Sequence, residues 1–187
     1  AYGTHESYLV PRALGFERLF RAVTPVLVAR TLLCGAGKVG GENGQRVAYQ
    51  ASQRADFFAE PANAETLYRR PVFNTRDECH ADPVEWIRPH VISCDANRIA
   101  SCVSRRVGLV KLAIALEEVG RAAPWRLRDP VAAFRLVSQR YGEDPRLDLE
   151  GGSWTTAQDI LHQLGDAAER HLDLPDDLRA VCDDVRA

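Results

Sequence analysis

Residues 104–119 set the tightest limit on how this chain can fold. In helical projection, Val107, Leu109, Val110, Leu112, Ala113, Ile114, Leu116 and Val119 surround the axis almost completely. A helix that is apolar on all sides must be covered on all sides. Tyr2–Val10 has the pattern of a strand entering a turn at Pro11. Phe16, Leu19, Phe20, Val23, Val26 and Leu27 recur at helical spacing, and the pattern continues to Leu33. Pro25 is expected to kink or restart that helix, and Gly35-Ala36-Gly37 ends it. Strand character follows in Arg46–Phe58, Tyr68–Thr75 and His90–Cys94. Downstream, Asp129 caps a helix that has Pro130 at its first position and runs to Tyr141. Leu147–Leu149 before Gly151-Gly152 predicts a small strand and turn. Thr155 with Gln158 reads as a capping box for a helix to Leu172, and Pro175-Asp176 opens a last amphipathic helix. Strands interleaved with helices, then helices alone, predict an α+β chain: an antiparallel sheet backed by helices and ending in helices.

At 187 residues the chain is one domain, or one large piece of a bigger one. Charge divides it into a body, 1–142, and an acidic helical segment of the same domain, 143–187. The segment carries 12 acidic against 4 basic residues, and the body 20 basic against 14 acidic. A basic body suits an anionic small ligand, although a solvated surface gives the same count. Of the 24 basic residues 22 are arginine, and zero methionine accompanies them, so the arginine excess is in part compositional. No aromatic-studded basic stripe suggests nucleic acid. No apolar run reaches membrane-spanning length and no basic-then-apolar leader opens the chain, so the expected compartment is cytoplasmic.

Five cysteines, Cys34, Cys79, Cys94, Cys102 and Cys182, without a CxxC pair indicate reduced thiols. Cys79, His80, His90 and Cys94 are soft-metal donors within one stretch, but adjacent residues on a strand face opposite ways, and the ligand pairs of a structural zinc site are missing. Inert buried thiols are the simpler account. Gly35-Ala36-Gly37-Lys38-Val39-Gly40 matches GxGxxG in form only. A dinucleotide site needs a strand before it and a helix after it, whereas here a helix precedes and more loop follows. The Walker pattern fails as well, because Val39 follows Gly37-Lys38.

What remains is a set of polar residues inside strand-like segments: His5 and Glu6, Ser52-Gln53-Arg54, Asn74-Thr75-Arg76-Asp77-Glu78 with His80 and Asp82, then His90 and Asp95-Ala96-Asn97. They form either a wet sheet face or one polar cleft able to hold phosphates and a divalent metal. His162 and His171 on the late helix are surface or packing residues.

These residues also carry a resemblance. Tyr2-Gly3-Thr4-His5-Glu6-Ser7-Tyr8-Leu9, Cys34-Gly35-Ala36-Gly37-Lys38-Val39, Ser52-Gln53-Arg54, Asn74-Thr75-Arg76-Asp77-Glu78 with His80-Ala81-Asp82, His90-Val91-Ile92 and Asp95-Ala96-Asn97 resemble, in order and at compatible spacing, the Pup–protein ligase and depupylase family, also called the proteasome accessory factor A family. The Cys34–Val39 stretch and Gly151-Gly152 are closer to its ligase branch. The family's relation to glutamine synthetase and other carboxylate–amine ligases implies a curved antiparallel sheet with ATP and Mg²⁺ on its concave face. It implies that the C-terminal Glu of a Pup-like modifier is activated as an acyl phosphate and joined to a lysine of a target protein. The depupylase branch runs the hydrolysis. By resemblance His5 is a metal ligand, Arg54, Arg76 and His90 bind phosphate, and Asp77, Glu78 and Asp95 orient them. The catalytic base and acidic metal ligands belong to a family segment expected upstream of Ala1, so the chain is expected to be the C-terminal portion of a larger enzyme, inactive by itself. A subunit whose partner chain supplies the missing sheet is the alternative. Ser7, Cys79 and Arg98-Ile99-Ala100-Ser101 depart from the family pattern, which leaves room for a divergent or inactive paralogue.

Overall fold

A computed structural model describes residues 2–42 and 44–186. The elements in chain order are β1 (Gly3–Ser7), β2 (Val10–Pro11), α1 (Gly15–Ala29), α2 (Thr31–Cys34), β3 (Lys38–Val39), β4 (Tyr49–Gln50), β5 (Phe58–Asn63), β6 (Arg70–Asn74), β7 (Trp86–Ile87), β8 (His90–Asp95), α3 (Ala100–Glu118), α4 (Pro130–Gln139), β9 (Leu147–Asp148), β10 (Trp154–Thr155), α5 (Ala157–His171) and α6 (Asp176–Arg186). The fold is α+β, with helices packed on a mixed sheet and helices at its end.

The central sheet has the order β1-β8-β6-β5. β1 and β6 both run antiparallel to β8, but β5 and β6 are parallel, so the expected all-antiparallel sheet is corrected to a mixed one. Residues 64–69 make the return. It is a run of bends rather than extended chain, tied by Asn63 Nδ2, which donates to the Arg69 carbonyl at 2.8 Å. The expected strand at 46–58 survives only as Tyr49–Gln50. Beyond it the chain makes a 3₁₀ turn at Ala55–Phe57, and β5 starts where that strand was expected to end. The four strands do not curl round on themselves.

α3 is the buried helix that its sequence demanded, enclosed by α1, α2, α5 and α6. Gly108 is what lets α6 approach: a Cβ there would lie 2.8 Å from Val181 Cγ2. α1 continues through Pro25 as one helix, so the restart expected there does not occur. Its buried face, with Leu19, Val23, Val26 and Leu27, outweighs one missing backbone bond. The interruption falls at Arg30 instead. Asp129 caps α4 as expected, accepting from the Val131 and Ala132 N–H groups. The cap of α5 is Thr156, which accepts from the Asp159 N–H. Thr155 lies in β10 instead, so the expected Thr155–Gln158 capping box does not form and a single Thr156 N-cap bond takes its place. Leu147, Ile160, Leu164 and Val181 join Val26, Leu109 and Phe73 in a single apolar core, so the acidic segment packs with the body.

One carboxylate pins the β3–β4 hairpin to α4. Asp56 Oδ2 accepts from Lys38 Nζ (3.2 Å), the Glu42 N–H (3.2 Å) and Gln50 Nε2 (2.7 Å), and Oδ1 from Gln139 Nε2 (3.2 Å). Burial alone would raise its pKa. The hydrogen bonds from Gln50, Lys38, the Glu42 N–H and Gln139 outweigh burial and hold it below the usual carboxylate range. A depressed folded-state pKa contributes stability that is complete above the unfolded value, near 3.8, and is lost as pH falls through the lower folded one. Urea unfolding of wild type should therefore weaken as pH drops below about 4, and Asp56→Asn should show a shallower decline over that range. Parallel pH profiles for the two proteins would refute the assignment.

Candidate functional site

β1 divides its residues between two faces. Thr4 and Glu6 point at the helices, where Arg106 donates to Thr4 Oγ1 at 2.9 Å. Gly3, His5 and Ser7 then face the other way, by the period of two that governs strands. Each of these three outward positions meets a nitrogen-bearing side chain. Arg54 lies over Gly3, His90 Nε2 is 3.1 Å from His5 Nδ1, and Arg88 Nη1 donates to Ser7 Oγ at 3.1 Å. A β-bulge between Thr4 and Glu6 sets the register that brings His90 opposite Ser7 and beside His5.

Arg54 is the most constrained of the expected phosphate-binding residues. It is 7% exposed, and its Nη1 donates to the carbonyls of Ile92 (2.6 Å) and Cys94 (3.0 Å). Its guanidinium lies over the Phe58 ring, 5.6 Å from the centroid. Burial and the neighbouring Arg70, only partly opposed by Asp95, hold its pKa below the ordinary arginine value. Asp95 fixes the loop that presents it. Its carboxylate accepts from the Ala36 N–H (2.9 Å), Ser52 Oγ (3.0 Å) and the Gln53 N–H (2.9 Å), and Ser52 Oγ in turn receives the Arg54 N–H (3.0 Å). Asp95 thus clamps Gly35-Ala36 and Ser52-Gln53-Arg54 to the end of β8.

The two histidines sit among cations. Burial, then Arg54 and Arg70, lower the pKa of His5. Burial, then His5, Arg88 and Arg76, lower that of His90 against the opposing pull of Glu78. Arg76 is exposed, and its Nε donates to Glu78 Oε1 at 2.7 Å. Glu78 also lies 3.7 Å from Arg88, so it neutralises two of the cations rather than steering one. Asp77 points away from them. It accepts from Arg12 Nη2 (2.7 Å) and the Arg88 N–H (3.2 Å), tying the β6–β7 loop to the turn after β2. The structure therefore brings His5, His90 and Arg54 together on the open sheet face, with Arg76 near their rim. Arg70 and Arg88 were missed. Nothing local distinguishes either from the other 20 arginines.

Behind the sheet lies a second polar cluster that sequence reasoning missed. Arg30, 1% exposed, donates from Nη1 and Nη2 to the two oxygens of Glu6 (2.9 and 3.0 Å) and from Nη1 to the Arg106 carbonyl (2.7 Å). Arg106 Nε lies 3.2 Å from Glu6 Oε1, and Tyr8 Oη donates to Glu6 Oε2 at 2.5 Å. Burial and the Glu6 carboxylate push the Tyr8 phenol well up. Little in the sequence marked them: Arg30 follows an α1 that also carries Arg18 and Arg21, and Arg106 stands beside Arg105 in α3. Cys94 faces this side while His90 faces the open one, so the soft-metal donors of that stretch do not converge. Among the described residues, no three His, Cys, Asp or Glu side chains are placed to hold a metal ion. Burial pushes the Cys34 thiol up to about 12, which keeps it protonated. Gly35–Gly40 forms the exit of α2 into the β3–β4 hairpin, not a phosphate loop before a helix. Among the described residues no helix is long and apolar enough to cross a membrane.

Known proteins match the chain along most of its length. The chain is 37% identical over 175 residues to a depupylase from Acidothermus cellulolyticus, covering 92% of this chain and 35% of that protein. It is 36% identical over 181 residues to a Pup–protein ligase from Kocuria rhizophila, covering 91% of this chain and 39% of that protein. It superposes on the Pup ligase PafA in complex with ADP with a TM-score of 0.86 at 30% identity, covering all of this chain and 43% of that one. The same score and identity hold for PafA in complex with Pup, of which 40% is covered. The chain thus spans less than half the length of the proteins it resembles. The Pup-ligase protein family profile matches residues 1–186, and the chain belongs to that family.

Proposed function

We propose that the open sheet face is the phosphate-binding wall of an ATP-dependent carboxylate–amine ligase that acts on a Pup-like modifier and lysine-bearing target proteins. The observation that carries this reading is the line of contacts along β1. Gly3, His5 and Ser7 successively meet Arg54, His90 and Arg88, with Arg70 and Arg76 close enough to act on the two histidines. Such a set holds polyphosphate by charge-assisted hydrogen bonds and needs no rearrangement as charge develops. A relative with the same fold is known in complex with ADP, which supports a nucleotide. When bound, ATP supplies the phosphoryl group that makes a side-chain carboxylate reactive toward an amine. On this reading Arg54 and the histidines grip phosphoryl oxygens, Asp95 keeps the Arg54 loop in place, and Glu78 moderates the outer cations. The sheet then belongs to a glutamine-synthetase-like architecture, whose curvature is a property of a larger sheet than these four strands.

Hydrolysis of the modifier–lysine bond is the second reading, supported by a depupylase that is as similar to the chain as the ligases are. Both use the same anion-binding wall. Calorimetric titration with ADP tests it. Arg88→Ala should weaken binding about tenfold, one lost charge-assisted contact, while Glu78→Gln should strengthen it by removing the competing acid. Failure of ADP to bind, or an unchanged affinity in both variants, would refute the reading.

A further inference from the structure

His5 and His90 share one proton, because His90 Nε2 lies 3.1 Å from His5 Nδ1. Which ring carries it decides what His5 offers the open face. If His5 carries it, the neutral His90 ring must keep its own proton on Nδ1. That nitrogen is buried and has no hydrogen-bond partner. A bare buried N–H is among the rarest features of folded proteins. If His90 carries the shared proton on Nε2, the buried Nδ1 is an unpaired acceptor instead, which folded proteins tolerate better than an unpaired donor.

We infer that His90 donates from Nε2 to His5 Nδ1, so that His5 keeps its own proton on Nε2 and meets the open face as a hydrogen-bond donor. A donor recognises an oxyanion. His5 is then the group that contacts a phosphoryl or carboxylate oxygen, and His90 is the residue that positions it. The metal-ligand role expected for His5 does not fit this geometry. An imidazole binds a metal through a lone pair, and the one lone pair of neutral His5 is spent on His90. Arg54 and Arg70 beside His5 add repulsion toward any cation. A magnesium ion accompanying the nucleotide would take its ligands from other residues. The ligand class rests on the function proposed above; the tautomers do not.

Long-range ¹H–¹⁵N spectra of the ¹⁵N-labelled chain test both parts. A cross-hydrogen-bond ¹⁵N–¹⁵N coupling should link the two rings, with the proton assigned to His90 Nε2 and a second proton on His5 Nε2. Pyrophosphate should shift the His5 Nε2–H signal, and Mn²⁺ alone should leave the His5 ring unbroadened. His90→Phe should weaken pyrophosphate binding about tenfold, and His90→Gln, which keeps an N–H donor, should restore most of it. A proton on His5 Nδ1, or selective broadening of His5 by Mn²⁺, would overturn the inference even if ADP binds. The assigned tautomers without any anion binding would overturn the phosphate reading of the face and leave the tautomers standing.

Discussion

Glu6→Ala should cost about 3–5 kcal/mol of folding stability, because it strands two guanidinium groups in the interior. Arg30 and Arg106 are 1% and 7% exposed and meet the same carboxylate, which also receives the Tyr8 hydroxyl. Removing one member of a buried ionic cluster leaves its partners uncompensated, and that penalty exceeds the worth of the contacts themselves. In a chain of this size each kcal/mol lowers the melting temperature by about 2–4 °C, so a loss of about 10 °C is expected. Tyr8→Phe removes only one hydrogen bond to a charged group and should cost about 1.5–3 kcal/mol. Urea unfolding measures both. A Glu6→Ala protein within about 1 kcal/mol of wild type would show that the cluster does not anchor β1. The same cluster explains how β1 is held without a long strand. Its inward side is bolted to α1 and α3, which leaves the outward side available for the site.

The second large effect comes from the smallest side chain on that outward side. A Cβ at Gly3 would lie 1.9 Å from Arg54 Nη1 and 2.3 Å from its Cζ. Backbone on β1 is held by β8, so the guanidinium must leave. It would abandon the carbonyls of Ile92 and Cys94 and, with them, its place on the proposed phosphate-binding wall. Gly3→Ala should therefore lower ADP affinity about 30-fold or more, roughly 2 kcal/mol of charge-assisted binding. It should also mimic the loss of Arg54 itself. The double variant Gly3→Ala with Arg54→Ala should bind no worse than either single one, since both remove the same interaction. If their effects on affinity simply add, Gly3 does not act through Arg54.

Much of this was legible in the sequence, and the pieces share a physical cause. The buried α3, the Asp129 cap with Pro130, the strand at β8 and the false GxGxxG all follow from interactions within a few residues, where spacing and turn chemistry suffice. The gathering of His5, Arg54, Arg76 and His90 was anticipated through motif resemblance, but the contact between the two histidines was not. The parallel β5–β6 pair was not legible, because the direction of a return loop depends on what its ends bind, not on its composition. Nor was the uninterrupted α1, where packing along a whole face overrode the local cost of Pro25.

What the sequence determined alone was the set of elements and the identity of the chemistry-bearing side chains. The tertiary structure decided which of them meet. Among 22 arginines it selected Arg30 and Arg106 for the interior, Arg12 for a clamp with Asp77, and Arg70 and Arg88 for the site. Those choices depend on contacts between residues far apart in the chain. Their energies arise from burial and from a bulge that shifts one strand against another, and no short window of sequence contains either.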